Sequence, residues 1–208
     1  MTVVAAFDFD ETLTTRDTVV PFLRRFTTTP RFAADLLPHS FRLLPIAVRR
    51  DRDRLRALAT RIVFTDRPVG DIERHAADHG ATIADEWLRD DTTARLQWHR
   101  EHGHRVVIVS ASYEQYVRVV AERLGGVAVV ATRLDSIDGR CTGELSGPNC
   151  RGPEKVRRLD AWLAGAGLDR RDVTLFAYGD STGDRELLAA ADHPHWVDEP
   201  LASVAPTV

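Results

Sequence analysis

Four short polar clusters in this 208-residue chain have the residue types and the order along the chain to act on one substrate. Asp8-Phe9-Asp10-Glu11-Thr12 follows the apolar run 3–7, and Ser110 follows the run 106–109. Lys155 lies near the start of a helical pattern over 153–163, and Gly179-Asp180-Ser181-Thr182-Gly183-Asp184 follows the run 173–177. Aspartates 8, 10, 180 and 184 brought into one crevice would repel one another and rise in pKa unless a cation compensated them. Oxygen donors, with no His or Cys beside them, favour Mg²⁺ over Zn²⁺. Such a cation and the Lys155 ammonium would neutralise the oxygens of a phosphoryl group, and the Ser110 hydroxyl would hold a third oxygen. The phosphorus is then open to in-line attack by an Asp8 carboxylate oxygen, forming an aspartyl phosphate. Asp10, two residues on, is placed to protonate the leaving oxygen and then to take a proton from the hydrolytic water.

Lys155 carries extra weight because it is the only lysine among 28 lysines and arginines. A chain that uses Arg wherever a positive charge will do has kept a compact ammonium at one place.

These clusters need a scaffold that gathers strand ends. The short, β-branched apolar runs at 3–7, 106–109, 127–130 and 173–177 are those of strands buried on both faces, and helical patterns at 113–124, 153–163 and 184–191 alternate with them. That alternation predicts an α/β fold with a doubly wound parallel sheet, whose ligands bind at the carboxyl ends of the strands. Ser112, with Gln115 three residues later, reads as the N-cap of the 113–124 helix, which Gly125-Gly126 ends. Asp138-Gly139 between two short runs predicts a small β-hairpin at the sheet edge. Asp8 and Ser110 are farther apart than one βαβ unit requires, by roughly 70 residues. Leu37, Phe41, Leu44 and Val48, then Leu55, Leu58 and Ile62, then an amphipathic stretch over 68–88, fill this interval with helical spacing. The organisation expected is therefore a core of 1–14 and 91–208 carrying a helical insertion over 15–90, broken by Pro38, Pro45 and Pro68.

The sequence 7–14, with Ser110, Lys155 and Gly179-Asp180-Ser181…Asp184, resembles the four ordered motifs of the haloacid dehalogenase superfamily. The phrases Val109-Ser110-Ala111-Ser112, Asp138-Gly139-Arg140-Cys141-Thr142-Gly143-Glu144 and Tyr178-Gly179-Asp180-Ser181 are similar to subfamily IB, the phosphoserine phosphatase-like hydrolases. The resemblance covers the whole chain and implies that the insertion is a C1-type cap. It implies that Asp8 is the nucleophile, Asp10 the acid/base, and that Asp8, the Asp10 backbone carbonyl and Asp180 bind Mg²⁺, with Asp184 assisting from the edge. An Asp at position 10 argues against a true dehalogenase. Asp17 resembles the acidic position that meets a substrate amine in phosphoserine phosphatases, and it also suits a cap of the helix entered at Thr18-Val19-Val20.

The expected activity is Mg²⁺-dependent hydrolysis of a small phosphorylated metabolite: an amino-alcohol, amino-acid or sugar phosphate. Transfer of the phosphoryl group to an acceptor other than water, and a non-catalytic Mg²⁺-binding protein, are the alternatives. A net charge of −3 and a mean hydropathy of −0.25 exclude a nucleic-acid binder at whole-chain level and a membrane bundle. No signal peptide or spanning segment is read. Cys141 and Cys150 are expected to be free thiols in a reducing cytoplasm. Nine arginines and three acids between Arg24 and Arg56 form a basic segment, either solvated or facing an anionic substrate. His75, His79, His99, His102 and His104 are expected to be solvated, and the four tryptophans to pack.

Overall fold

The computed structural model describes residues 2–27, 52–198 and 201. The helical spacing of Leu37 to Val48, the breaks at Pro38 and Pro45, and four of the nine clustered arginines (31, 42, 49 and 50) lie outside these residues. The described elements are β1 (Thr2–Phe7), α1 (Val19–Arg24), α2 (Arg52–Phe64), α3 (Val69–Glu86), α4 (Asp90–Glu101), β2 (Arg105–Tyr113) and α5 (Glu114–Arg123). They continue with β3 (Ala128–Thr132), β4 (Leu134–Ile137), β5 (Arg140–Leu145), α6 (Pro153–Gly165), β6 (Val173–Gly179), α7 (Arg185–Ala189) and β7 (His193–Trp196).

The doubly wound parallel sheet is present, in the order β3-β2-β1-β6-β7. Phe7 is in register with Ile108 on one side and Tyr178 on the other, so Asp8, Ser110 and Asp180 lie one or two residues past a common rung. Alternation along each strand builds two cores. Ala5, Phe7, Ile108, Phe176 and Tyr178 face one side, and Val4, Ala6, Val107, Val109, Leu175 and Ala177 face the other, against Leu159 and Leu163 of α6 and Leu187 and Leu188 of α7. The first cluster continues without a break into Phe22 of α1, Phe64 of α2 and Ile72 and Ile83 of α3. Gly80 lets α3 approach α5 closely, since a Cβ there would stand 2.6 Å from the Val119 Cβ and 2.9 Å from the Tyr116 carbonyl.

The structure changes several expectations. The hairpin β4–β5 forms a separate two-stranded sheet, tied to Pro68 by a bridge at Arg140, instead of extending the edge of the main sheet. The edges of that sheet are β3 and β7, and His193-Pro194-His195-Trp196 does not announce β7 because it lacks a β-branched run. Trp196 is 47% exposed, so it packs only in part. Cys141 and Cys150 are both buried free thiols.

His79 and His99 are buried, not solvated. The His99 ring bonds the Tyr178 hydroxyl at 2.9 Å and His104 at 2.8 Å, and the His79 Nε2 meets the Thr18 carbonyl at 2.9 Å. Burial lowers His79 to about 4 and His99 to about 3, with neighbouring His104 and Arg95 adding to the effect on His99. Because the folded values lie below the ordinary histidine value, the unfolded chain binds these protons first, and stability is lost as pH falls below about 6.5. The stability difference between the native chain and His99→Gln is expected to shrink by about 2 kcal/mol from pH 7 to pH 5. Urea denaturation at the two pH values measures this, and a constant difference would mean that folding does not hold His99 neutral.

Candidate active site

The chain leaving β1 turns tightly over Asp10–Leu13, with Leu13 N–H donating to the Phe9 carbonyl at 2.9 Å and Glu11 at φ 59°. This turn leaves Asp8 at the sheet edge, 7% exposed, and brings Thr12 across to β6, where its hydroxyl donates to Asp180 Oδ1 at 2.9 Å. Beyond β6, the backbone N–H and hydroxyl of Ser181 donate to Asp184 Oδ2 at 3.0 and 2.8 Å. A Cβ on Gly179 would stand 2.6 Å from the Asp184 Cβ, so glycine is needed for this loop to close over its own aspartate. The start of α6 is held against the same loop by the Gly152 N–H, which donates to the Gly183 carbonyl at 2.9 Å.

That contact delivers Lys155. Its side chain is 2% exposed, and its Nζ donates to Asp8 Oδ1 and, at 2.5 Å, to Asp184 Oδ1. Burial alone would lower the lysine, but the two carboxylates prevail and raise it. Asp8 is driven up to about 8, chiefly by burial and also by Asp184, against the opposing pull of Lys155. Asp180 is raised too, again chiefly by burial.

Carboxylate oxygens of Asp8, Asp180 and Asp184 lie within 4.8 Å of one another. Three carboxylates against one ammonium leave an uncompensated negative charge, and their oxygens fit a hard divalent cation such as Mg²⁺. Asp10, expected in the same crevice, does not add its carboxylate to this group. Its Oδ1 accepts from the Thr18 N–H at 2.8 Å and the Thr18 hydroxyl at 2.5 Å, and its Oδ2 accepts from the Ser112 hydroxyl. Burial raises Asp10 while these bonds oppose the rise.

Ser112 is therefore no helix cap. It is still in β2, the helix begins at Glu114, and Tyr113 at the N-cap position makes no side-chain capping bond. Ser110 is buried, and its Oγ accepts from the Ser112 N–H at 3.0 Å.

Asp8, Asp10 and Asp180 open onto a cleft of about 480 Å³ whose opposite wall includes Val20 and Leu23 of α1 and Arg56 of α2. Asp17 also lines the cleft, and its Oδ2 accepts from the Val20 N–H at 3.0 Å, so the helix-cap reading has its bond and the carboxylate still borders the cavity. Arg56 stacks its guanidinium 5.0 Å from the Tyr113 ring centre, and its enclosed Nη1 has no hydrogen-bond partner among the described residues. Sequence reasoning found Arg56 only as one member of the basic segment. It missed Thr18, Ser112 and Tyr116 as neighbours of Asp10, because contacts between distant segments leave no local pattern.

Residues 5–189 match the family described as haloacid dehalogenase-like hydrolase. The chain is 38% identical over 191 residues to the protein CicA of Caulobacter vibrioides, covering 91% of this chain and 83% of that protein. A crystal structure of a Bordetella pertussis protein of unknown function superposes with a TM-score of 0.74 at 22% identity, covering 91% of this chain and 87% of the other. A phosphoserine phosphatase structure, solved as an analogue of the phospho-aspartyl intermediate, superposes with a TM-score of 0.60 at 20% identity, covering 91% and 83%. The two structural likenesses show a shared fold.

Proposed function

Because the chain belongs to the haloacid dehalogenase-like hydrolase family, we propose that it is a Mg²⁺-dependent phosphomonoesterase working through an aspartyl phosphate on Asp8. One observation carries the reading. Lys155 bridges Asp184 and Asp8, and Asp8 lines a cleft onto which a separately held carboxylate, Asp10, also opens.

In this reading Asp8, Asp180 and Asp184, with the Asp10 backbone carbonyl, hold Mg²⁺, which when bound supplies positive charge to the phosphoryl oxygens and favours ionised Asp8. The protein's own groups do the rest. An Asp8 oxygen forms a bond to phosphorus as the bond to the leaving oxygen breaks, and the Asp10 carboxyl gives its proton to that oxygen. Lys155 has three N–H donors, of which two are engaged by carboxylates and the third remains for a phosphoryl oxygen. Ser110, with its Oγ already accepting from Ser112, is free to donate its hydroxyl proton to another oxygen. In the second half, water bonds to phosphorus, the Asp8–phosphorus linkage breaks, and Asp10 recovers its proton from that water.

The substrate is a small phosphorylated metabolite. The described helices α1 and α2 of the insertion, which line one wall of the cleft, act as a cap that selects the leaving group. Asp17 and the unpartnered Arg56 Nη1 at the cap side favour a leaving group with both an ammonium and an anionic group over a neutral one.

Phosphate release from a panel of amino-acid, amino-alcohol and sugar phosphates tests the reading. Turnover is expected with Mg²⁺, a fall of at least about 10²-fold after exhaustive EDTA treatment, and recovery on adding Mg²⁺ back. Full activity in EDTA would remove the metal from the account.

A further inference from the structure

Asp10 is held by two hydroxyl-bearing residues, Thr18 just before α1 and Ser112 at the end of β2, and a third, Tyr116 in the first turn of α5, stands behind them. Thr18 and Ser112 bond its two oxygens as described above. The Tyr116 hydroxyl lies 3.0 Å from the Thr18 Oγ1 and also interacts with Ser112, so it stands beside both residues that bond the carboxylate. All three residues are fully buried. Tyr116 is otherwise surrounded by rings, with Phe9, Phe22 and His79 centred 6.3, 4.8 and 5.1 Å away. In such surroundings apolar side chains of similar shape would pack equally well, and two hydroxyls directed at one carboxylate with a third placed behind them need another explanation.

We infer that Thr18, Ser112 and Tyr116 are positioning residues that fix the plane of the Asp10 carboxylate and choose the oxygen that carries its proton. This rests on the reading of Asp10 as the acid/base of phosphoester hydrolysis. Oδ1 accepts two bonds from Thr18, which occupy both of its lone pairs, whereas Oδ2 accepts one from Ser112. The transferable proton therefore belongs on Oδ2, on the side left open by Ser112. Ser112 also fixes Ser110 through its backbone N–H, so one residue sets both the proton donor and a phosphate-holding hydroxyl. His79 fixes Thr18 from α3 by bonding its carbonyl, which ties this arrangement to α3. Tyr116 touches neither substrate nor Asp10 and acts only through Thr18 and Ser112.

The test separates positioning from simple structural support by the leaving group. p-Nitrophenolate departs without a proton, whereas an alkoxide needs one, so a misplaced acid slows only the second ester in its phosphoryl-transfer step. With Mg²⁺ present, kcat/KM for an alkyl phosphate is expected to fall by about 10²-fold in Ser112→Ala and about 10-fold in Tyr116→Phe. For p-nitrophenyl phosphate it should change by less than about threefold in either. Ser112→Thr, which keeps the hydroxyl, should recover most of the alkyl-ester rate, and Tyr116→Phe keeps the packing in case Ser112→Ala folds poorly. Equal losses on both esters, or no loss on either, overturn the inference while leaving the phosphatase reading intact. Failure of the unmodified chain to hydrolyse either ester defeats that reading, and the inference with it.

Discussion

Asp8→Asn is expected to lower kcat for any phosphomonoester by at least about 10⁴-fold, with little change in thermal stability. The amide of Asn is a poor nucleophile, and the other aspartates gathered at the strand ends are held by partners of their own. Asp184 is tied to Lys155 and Ser181, Asp180 to Thr12, and the Asp10 carboxylate is turned toward Thr18 and Ser112. Folding should tolerate the change because Asp8 is crowded by another carboxylate and driven up to about 8 by its burial, so its charge does not stabilise the apo fold. Lys155 keeps Asp184 as its partner. Stopped assays with inorganic phosphate release, alongside thermal melts, read both quantities. Substantial residual turnover would move the nucleophile to another residue or to water.

Lys155→Arg is expected to lower kcat by about 10²-fold or more, a loss of about 3 kcal/mol of transition-state stabilisation at unchanged formal charge. The ammonium sits between two carboxylates in a space only 2% exposed. A guanidinium is wider and planar, and its terminal nitrogens reach one bond farther from Cα than a lysine Nζ, so it cannot place one donor on each of Asp8 and Asp184 and still offer another at the same point. The chain's habit of using Arg elsewhere makes this site's exception informative. Overpacking so enclosed a space should also cost stability, about 1–3 kcal/mol. A variant with near-native kcat would show that charge alone suffices there.

The sheet was legible because strands buried on both faces must be short apolar runs, and the polar residues after each run were legible because parallel strands gather their carboxyl ends. Lys155 stood out by composition. What stayed hidden depends on contacts between segments far apart in the chain. Ser112 follows an apolar run and precedes a helix, which is the local pattern of an N-cap, yet β2 continues through Tyr113 and turns its hydroxyl onto Asp10, 102 positions earlier. His79 and His99 carry the same polar label as exposed histidines, and it is burial among aromatic neighbours that keeps them neutral inside. β7 has no apolar run because two imidazoles take that role, His193 stacking 4.3 Å from Phe176 and His195 4.8 Å from Tyr178. Arg56 was concealed within a basic segment whose other members gave no reason to single it out.

The central claim is that the phosphoryl group passes through Asp8. Rapid-quench labelling of the native chain with a ³²P-phosphomonoester and Mg²⁺, followed by acid trapping and peptide mapping, examines that step itself. The account predicts an acid-stable, hydroxylamine-sensitive adduct that forms and decays fast enough to support turnover and maps to Asp8. Turnover without such an adduct, or an adduct on any other residue, would contradict it.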